Sequence, residues 1–364
     1  MGLRLELGSG WVLQENTVAA KEDAKAPIVN LHPSFVFPKA EIGSPFAFPS
    51  IEFGSDMVRA AIAARVRSGL SPDLPKVAQD EPRRARITEE WDHLRAAWSL
   101  HRNGKVDLVE KRRAGFIPTA GYVDPPDTLA DWVFQFAQGL GAPCFDEHFE
   151  ALFQQLLIAK DKGDFGRFVK HFGDDMSSDH GRRHFEMAKA YFAAFSEFSQ
   201  VHHLVTSGVP VGEEHAAAST NFDATRMFYG NAFEAFGANV EFLVCLNNLV
   251  EDRPYDQLKN ITLSTYRQTD KAGRCNAIAD NVAMAAICKE FDNQVRNASH
   301  HGGMVFDRAS GVIQYRAGKG GQGDVRSMGY AAYLARCTQL FVQLSVLMRL
   351  EILVANEYGV RLPL

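Results

Sequence analysis

The sequence predicts a mainly α protein. It reads as a helical bundle with a small β-hairpin before its last helix. In front of the bundle stand an N-terminal helical region and an irregular or short-strand arm. Three observations carry this. Apolar residues recur every three to four positions through most of the chain after residue 54. That period gives way to alternation in "MVFDRASGVIQYRAG", around Ala309, Ser310 and Gly311. The first 54 residues have no helical period, and "HPSFVFPKAEIGSPFAFPSIEF" sets prolines and glycines between short Phe, Val and Ile runs.

The arm, 1–54, is expected to pack on something, because so many exposed aromatics would invite aggregation. The helical N-terminal region spans 55–206. Its first helix has Ser55 or Asp56 as cap and Val58, Ile62 and Val66 on one face. A second helix aligns Trp91, Leu94 and Trp98 and stops at Asn103-Gly104. "DTLADWVFQFAQGLG" and "DEHFEALFQQLLIAKDKG" make two more helices, and "HGRRHFEMAKAYFAAFSEFSQVHHLV" one longer one. "SGVPVG", Ser207 to Gly212, reads as a linker.

Residues 213–364 read as three long helices with the hairpin before the last. The first carries Phe228, Phe236, Leu243 and Leu246 on one stripe, and the second turns Ile278, Val282, Ile287, Phe291 and Val295 inward. The last begins at Ser327 as N-cap. Within it, "LFVQLSVLMRLEILVA" is the most apolar run. Gln343, Arg349 and Glu351 interrupt it, and it is shorter than the roughly 20 residues of a membrane span, so a buried helix is expected.

The 46% apolar and 23% charged composition is that of a globular protein. A net charge of -5 excludes a polybasic nucleic-acid coat, though not a local basic site. The five cysteines are scattered without a CxxC pair and are expected to be reduced thiols. The N-terminus lacks the apolar stretch of a signal peptide, so a cytoplasmic protein is expected. The N-x-S/T triplets at Asn260 and Asn297 are then unused as glycosylation acceptors.

The chemistry concentrates in "QVRNASHHGG", residues 294–303. Part of it is a sound helix ending, since imidazolium favours the negative helix end and glycine the left-handed cap. Arg296, Asn297, His300 and His301 offer more. A neutral histidine near pH 6.5 can take the proton of a hydroxyl that attacks a phosphate. A guanidinium can grip two oxygens of the attacked phosphate, and an amide beside it can orient either group. Arg296 and His300 lie four apart on one helix face, with His301 about 100° further round, so the histidine that enters the cleft depends on where the helix unwinds. Asp292 is placed to pair with Arg296 on the helix surface. Five cations (Arg296, Arg308, Arg316, Lys319 and Arg326) face Asp307 and Asp324, a local sum of +3. Arg308, Arg316, Lys319 and Arg326 are therefore candidate RNA contacts, within or beside the glycine-rich "RAGKGGQGDVR", which is otherwise a plain loop.

The stretch from Arg296 through Asn297 to His301 resembles the R-x4-6-H motif of the HEPN superfamily, and "YGNAFEAFGANVEFLVCLNN" resembles a first bundle helix of that family. The likeness covers about 150 residues and leaves 1–206 unassigned. It implies a metal-independent endoribonuclease, as in toxin and antiviral-defence systems, leaving a 2′,3′-cyclic phosphate. His301 would be the general base or acid, with His300 as the alternative. Arg296 would bind the phosphate and Asn297 would position. The family commonly sets two motifs across a homodimer interface. RNA is the expected partner, with an antitoxin or trigger molecule unspecified, and no cofactor, metal or membrane is expected. The alternative is a catalytically silent HEPN-like module for dimerisation or nucleotide binding.

Weaker groupings remain. His180 and His184, four apart, lack an evident third metal ligand and read as a solvated face, with His202 and His203 further along the same helix. Glu234 and Glu241 share a helix face and read as surface, unless one of them orients a motif side chain.

Overall fold

A computed structural model describes residues 3–6, 10–13, 36–41, 83–114, 126–219, 221–300, 303–318 and 323–364. The chain divides into two compact units, Met1–His32 and Pro33–Leu364. In the first, strands β1 (Leu3–Glu6) and β2 (Gly10–Leu13) pair antiparallel.

The second unit holds the rest. It opens with β3 (Phe37–Pro38), followed by α1 (Arg83–Arg102), α2 (Val106–Ala114), α3 (Leu129–Gly141) and α4 (Cys144–Lys160). Next come α5 (Phe165–His171), a π-helical stretch Phe172–Met176, α6 (Ser177–Ala193) and α7 (Phe195–Thr206). Strand β4 (His215–Ala216) pairs antiparallel with β3. Helices α8 (Phe222–Asn239), α9 (Glu241–Val250) and α10 (Leu263–Arg267) lead to a 3-10 helix, Lys271–Ile278. After α11 (Val282–Ala286) and α12 (Asn293–His300), an antiparallel sheet forms from β5 (Met304–Asp307), β6 (Val312–Arg316) and β7 (Val325–Gly329). Helix α13 (Tyr330–Tyr358) closes the fold.

Helix α13 is the axis of the core. It is long and apolar enough by composition to cross a membrane, yet most of that surface is covered by α7, α8, α4, α6 and α3. Those neighbours lie on both sides of Ser207–Gly212, which is therefore a connection inside one compact unit. Trp91, Leu94, Trp98, Phe228, Phe236, Leu243 and Leu246 are all buried, as their spacing predicts. Gly104 adopts φ 71° after α1, the left-handed stop its position calls for. All five cysteines are free thiols.

Several expectations need correction. Ser327 does not cap the last helix. It lies in β7 opposite Gln314, so the hairpin gains a third strand. The cap is Gly329, whose N–H is taken by Glu213 Oε1 at 2.9 Å and Oε2 at 2.8 Å, a carboxylate too distant in sequence to be read as a cap. The long helices expected on either side of residues 194 and 240 are each two helices, broken there. The helix expected through 274–301 is three short pieces. Asn281 Oδ1 accepts from Met284 N at 3.2 Å and Asp292 Oδ1 from Gln294 N at 2.8 Å, so each side chain starts a new helix. Val282 consequently turns outward, 85% exposed, while Ile278, Ile287 and Val295 stay in the core. The first helix expected from Ser55 or Asp56 lies outside the described residues, with Val58, Ile62 and Val66.

Candidate functional site

Helix α12 lies antiparallel on α8. At one end of the seam the rings of Phe233 and Phe291 stack with centroids 3.8 Å apart, and Tyr229 Oη donates to Glu290 O at 2.7 Å. At the other end Arg226 donates to Ser299 O at 3.0 Å, and Ser299 Oγ donates back to Arg226 O. Gly230 sits between. A Cβ there would come within 2.7 Å of His300 Nε2 and 2.8 Å of Ser299 Oγ, so the close approach of the two helices depends on this glycine.

The seam positions the motif. Arg296 Nε donates to Glu234 Oε1 at 2.7 Å, and its second terminal nitrogen contacts the same oxygen. Its first terminal nitrogen donates to Asn297 Oδ1 at 2.8 Å. Lys271 Nζ, from the 3-10 helix, donates to Glu234 Oε2 at 2.6 Å. Burial alone would raise the Glu234 pKa, but Lys271 and Arg296 outweigh it and hold the carboxyl below its ordinary value. The arginine keeps 29% of its side chain in solvent and the glutamate 26%, so the pair is partly open to water. Glu234 is thus the carboxylate that orients a motif residue. Asp292 is not Arg296's partner: its Oδ2 accepts from Arg336 at 2.9 Å while its Oδ1 caps α12.

His300 is half-buried, and its Nε2 is sealed against Gly230 with no hydrogen-bond partner. His301 and Lys319 lie outside the described residues.

Of the residues expected to contact RNA, the described three, Arg308, Arg316 and Arg326, are spread over the sheet. Arg326 stands opposite Tyr315 on one face of the sheet, and Arg316, opposite Val325, faces the other way. Arg308 is exposed in the β5–β6 turn, at the far end. It meets a group that sequence reasoning missed. A cavity of about 480 Å³ opens between the start of α8 and β5, lined by Phe222, Asp223, Arg226, Met304, Phe306 and Arg308. Arg226, Gly230 and Glu234 are spaced four apart, so they share one face of α8. That stripe runs from the cavity to Arg296 over about 12 Å at 1.5 Å per residue. The spacing was readable, but nothing in the sequence says that this face meets α12. Gln294 Oε1 accepts from Gly318 N at 2.5 Å, which ties the glycine-rich loop to α12 as well.

His180, His184 and His202 are structural. His180 and His184 are not on a solvated face but buried, bonded through Nδ1 and Nε2 to the two oxygens of Glu351 at 2.7 and 2.9 Å. Their partner lies far off on α13, out of reach of local pattern. His202 is buried between Tyr191 Oη and Leu140 O. Glu241 is also buried, bound by Arg267. Among the described residues no group of three or more His, Cys, Asp or Glu side chains is arranged to hold a metal ion.

The chain was compared with family models, with curated proteins and with solved structures, and no match was found in any of the three.

Proposed function

We propose that this protein is a metal-independent endoribonuclease of the HEPN type, acting in the cytoplasm as a toxin or antiviral effector. The observation that carries the reading is the way Glu234 fixes Arg296 across the helix seam, next to Asn297 and five residues before His301 in the sequence. A guanidinium has five N–H donors. Glu234 and Asn297 engage three of them, which leaves one on each terminal nitrogen. Two donors from adjacent nitrogens are what bidentate phosphate binding needs.

The reaction follows from these parts. His301 takes the proton of the 2′-hydroxyl, and the oxygen attacks the adjacent phosphorus. Arg296 binds the charge that gathers on the non-bridging oxygens. The 5′-oxygen leaves with a proton from a second histidine, supplied by the same motif of a partner subunit in a homodimer. The product is a 2′,3′-cyclic phosphate. His301 takes this role over His300, because the Nε2 of His300 is turned into the seam at Gly230.

Purified protein incubated with labelled RNA in EDTA tests this. Wild type cuts, Arg296→Ala loses about 10²–10³-fold and His301→Ala about 10²–10⁴-fold. Equal behaviour of wild type and both variants rejects the enzyme and leaves the silent dimerising module. Loss with His300→Ala alone moves the base to His300.

A further inference from the structure

A second polar cavity, of about 440 Å³, lies at the opposite end of α8, away from the Arg226 cavity. Its size falls within the roughly 300–1,000 Å³ of small-molecule sites. The π-helical stretch and the start of α6 bring Asp175, Asp179, His180 and Arg183 to one wall, and Glu241, Arg267 and Arg274 form the other. Stretches of π-helix are rare and recur at functional sites.

The two walls differ in how they are satisfied. Arg183 donates to Asn239 Oδ1 at 3.1 Å and to Asp179 Oδ2 at 3.3 Å. Arg267 donates to Glu241 Oε1 at 2.9 Å and to His171 Nε2 at 3.0 Å. Because His171 Nε2 accepts that bond, its Nδ1 carries the proton and donates to Asp175 at 2.7 Å. Arg274 differs. It is held over the Tyr266 ring and donates to two backbone carbonyls, Gly237 O at 3.0 Å and Arg267 O at 2.9 Å. No carboxylate pairs with it among the described residues, and its Nε is sealed without a partner. It is the uncompensated cation of the cavity.

We infer that this cavity binds a small organic phosphate. The phosphate sits on Arg274, with Arg183 across from it, and supplies the charge that Arg274 lacks. The carboxylates of Asp175 and Asp179, both largely exposed at the mouth, accept from hydroxyl or amino groups of the same ligand. A mixed rim of this kind favours an organic phosphate over the free ion, because bare phosphate meets the carboxylates with like charge. The site stands independently of the ribonuclease reading. It shares one element with the motif, since Lys271, three residues before Arg274, holds Glu234.

Calorimetric titration and thermal melting of the full chain test it with four probes: adenosine monophosphate, glucose 6-phosphate, inorganic phosphate and adenosine. At least one organic phosphate is expected to bind at sub-millimolar concentration and to raise the melting temperature by about 2–4 °C. Inorganic phosphate and adenosine are expected to bind at least tenfold more weakly. Arg274→Gln and Arg183→Gln, each checked for native helical signal, lose at least tenfold in affinity, and Arg296→Ala binds as wild type does. Arg183→Gln keeps the test decisive if Arg274→Gln does not fold. Failure of both organic phosphates to bind at 5 mM, equal binding of inorganic phosphate, or undiminished binding by the folded cavity variants each overturns the inference. None of these readouts depends on RNA cleavage.

Discussion

Two carboxylates in this protein each grip two basic side chains from other elements, and their surroundings are opposite. Glu351 on α13 is fully buried and holds His180 and His184 of α6. Glu234 on α8 is partly in solvent and holds Arg296 of α12 and Lys271 of the 3-10 helix. For both, burial pushes the pKa up and the paired side chains pull it back below the ordinary value. For Glu351 it falls to about 2. The sealed group has both partners buried and no exposed surface of its own, so it serves packing and helix register. The open group leaves its arginine with donors to spare, which is the condition for acting on something else. A similar pairing therefore has different consequences, decided by access to water.

The largest expected effect separates them first. Glu351→Ala leaves two imidazoles buried without their acceptor and costs about 3–5 kcal/mol, seen as a fall in melting temperature or in soluble yield. Acid gives the matching titration. Glu351 ionises at about 2 when folded, against 4.5 as an ordinary side chain. A carboxylate with a depressed folded pKa adds stability above the unfolded value, and that stability drains away as pH falls toward 2. Denaturation midpoints should drop between pH 4.5 and 2 in wild type. Glu351→Gln removes this component of the pH dependence. If wild type and Glu351→Gln show the same acid profile, the charge of Glu351 is not what holds α6 to α13.

The next effect acts on the seam. Gly230→Ala puts a Cβ 2.7 Å from His300 Nε2 and 2.8 Å from Ser299 Oγ, so those side chains or α12 itself must shift. Overpacking of this kind costs about 1–3 kcal/mol. The proposed ribonuclease should lose more than that stability change explains, because Arg296 is carried off Glu234 with the helix. Full cleavage by Gly230→Ala would show that the motif does not need α8.

What the sequence made legible follows from the range of each interaction. Local signals were read well. The spacing of Trp91, Leu94 and Trp98, the Asn103-Gly104 stop and the turn at Ala309-Ser310-Gly311 each depend on neighbours within a few residues. Caps inside an apolar period were read poorly: Asn281 and Asp292 each follow or precede another Asx residue, a start signal that the periodicity of Ile278, Ile287 and Val295 masked. Long-range partners were not readable at all. Nothing near "HGRRH" announces Glu351, and nothing near Ser327 announces Glu213. In the candidate site, Arg296 and Asn297 stood out by type and spacing. Lys271 and the Arg226 cavity needed the fold to bring them near.

The smallest stability effect is the sharpest test of the comparison. Glu234→Gln keeps the shape but removes the charge and leaves one acceptor oxygen for Arg296 and Lys271 where the carboxylate has two. The group is open to solvent, so screening limits its contribution to about 0–1 kcal/mol, far below that of Glu351. Its effect on cleavage should be larger than on folding. Without the carboxylate, nothing on α8 fixes the plane of the Arg296 guanidinium, and its two spare donors no longer meet a phosphate in register. A loss of about tenfold in single-turnover cleavage corresponds to about 1.4 kcal/mol of transition-state binding, which exceeds the folding cost. Melting and cleavage measured on the same preparation of Glu234→Gln decide the matter. Should the variant melt like Glu351→Ala, Glu234 is a second structural pin, and the contrast between the sealed and the open carboxylate disappears.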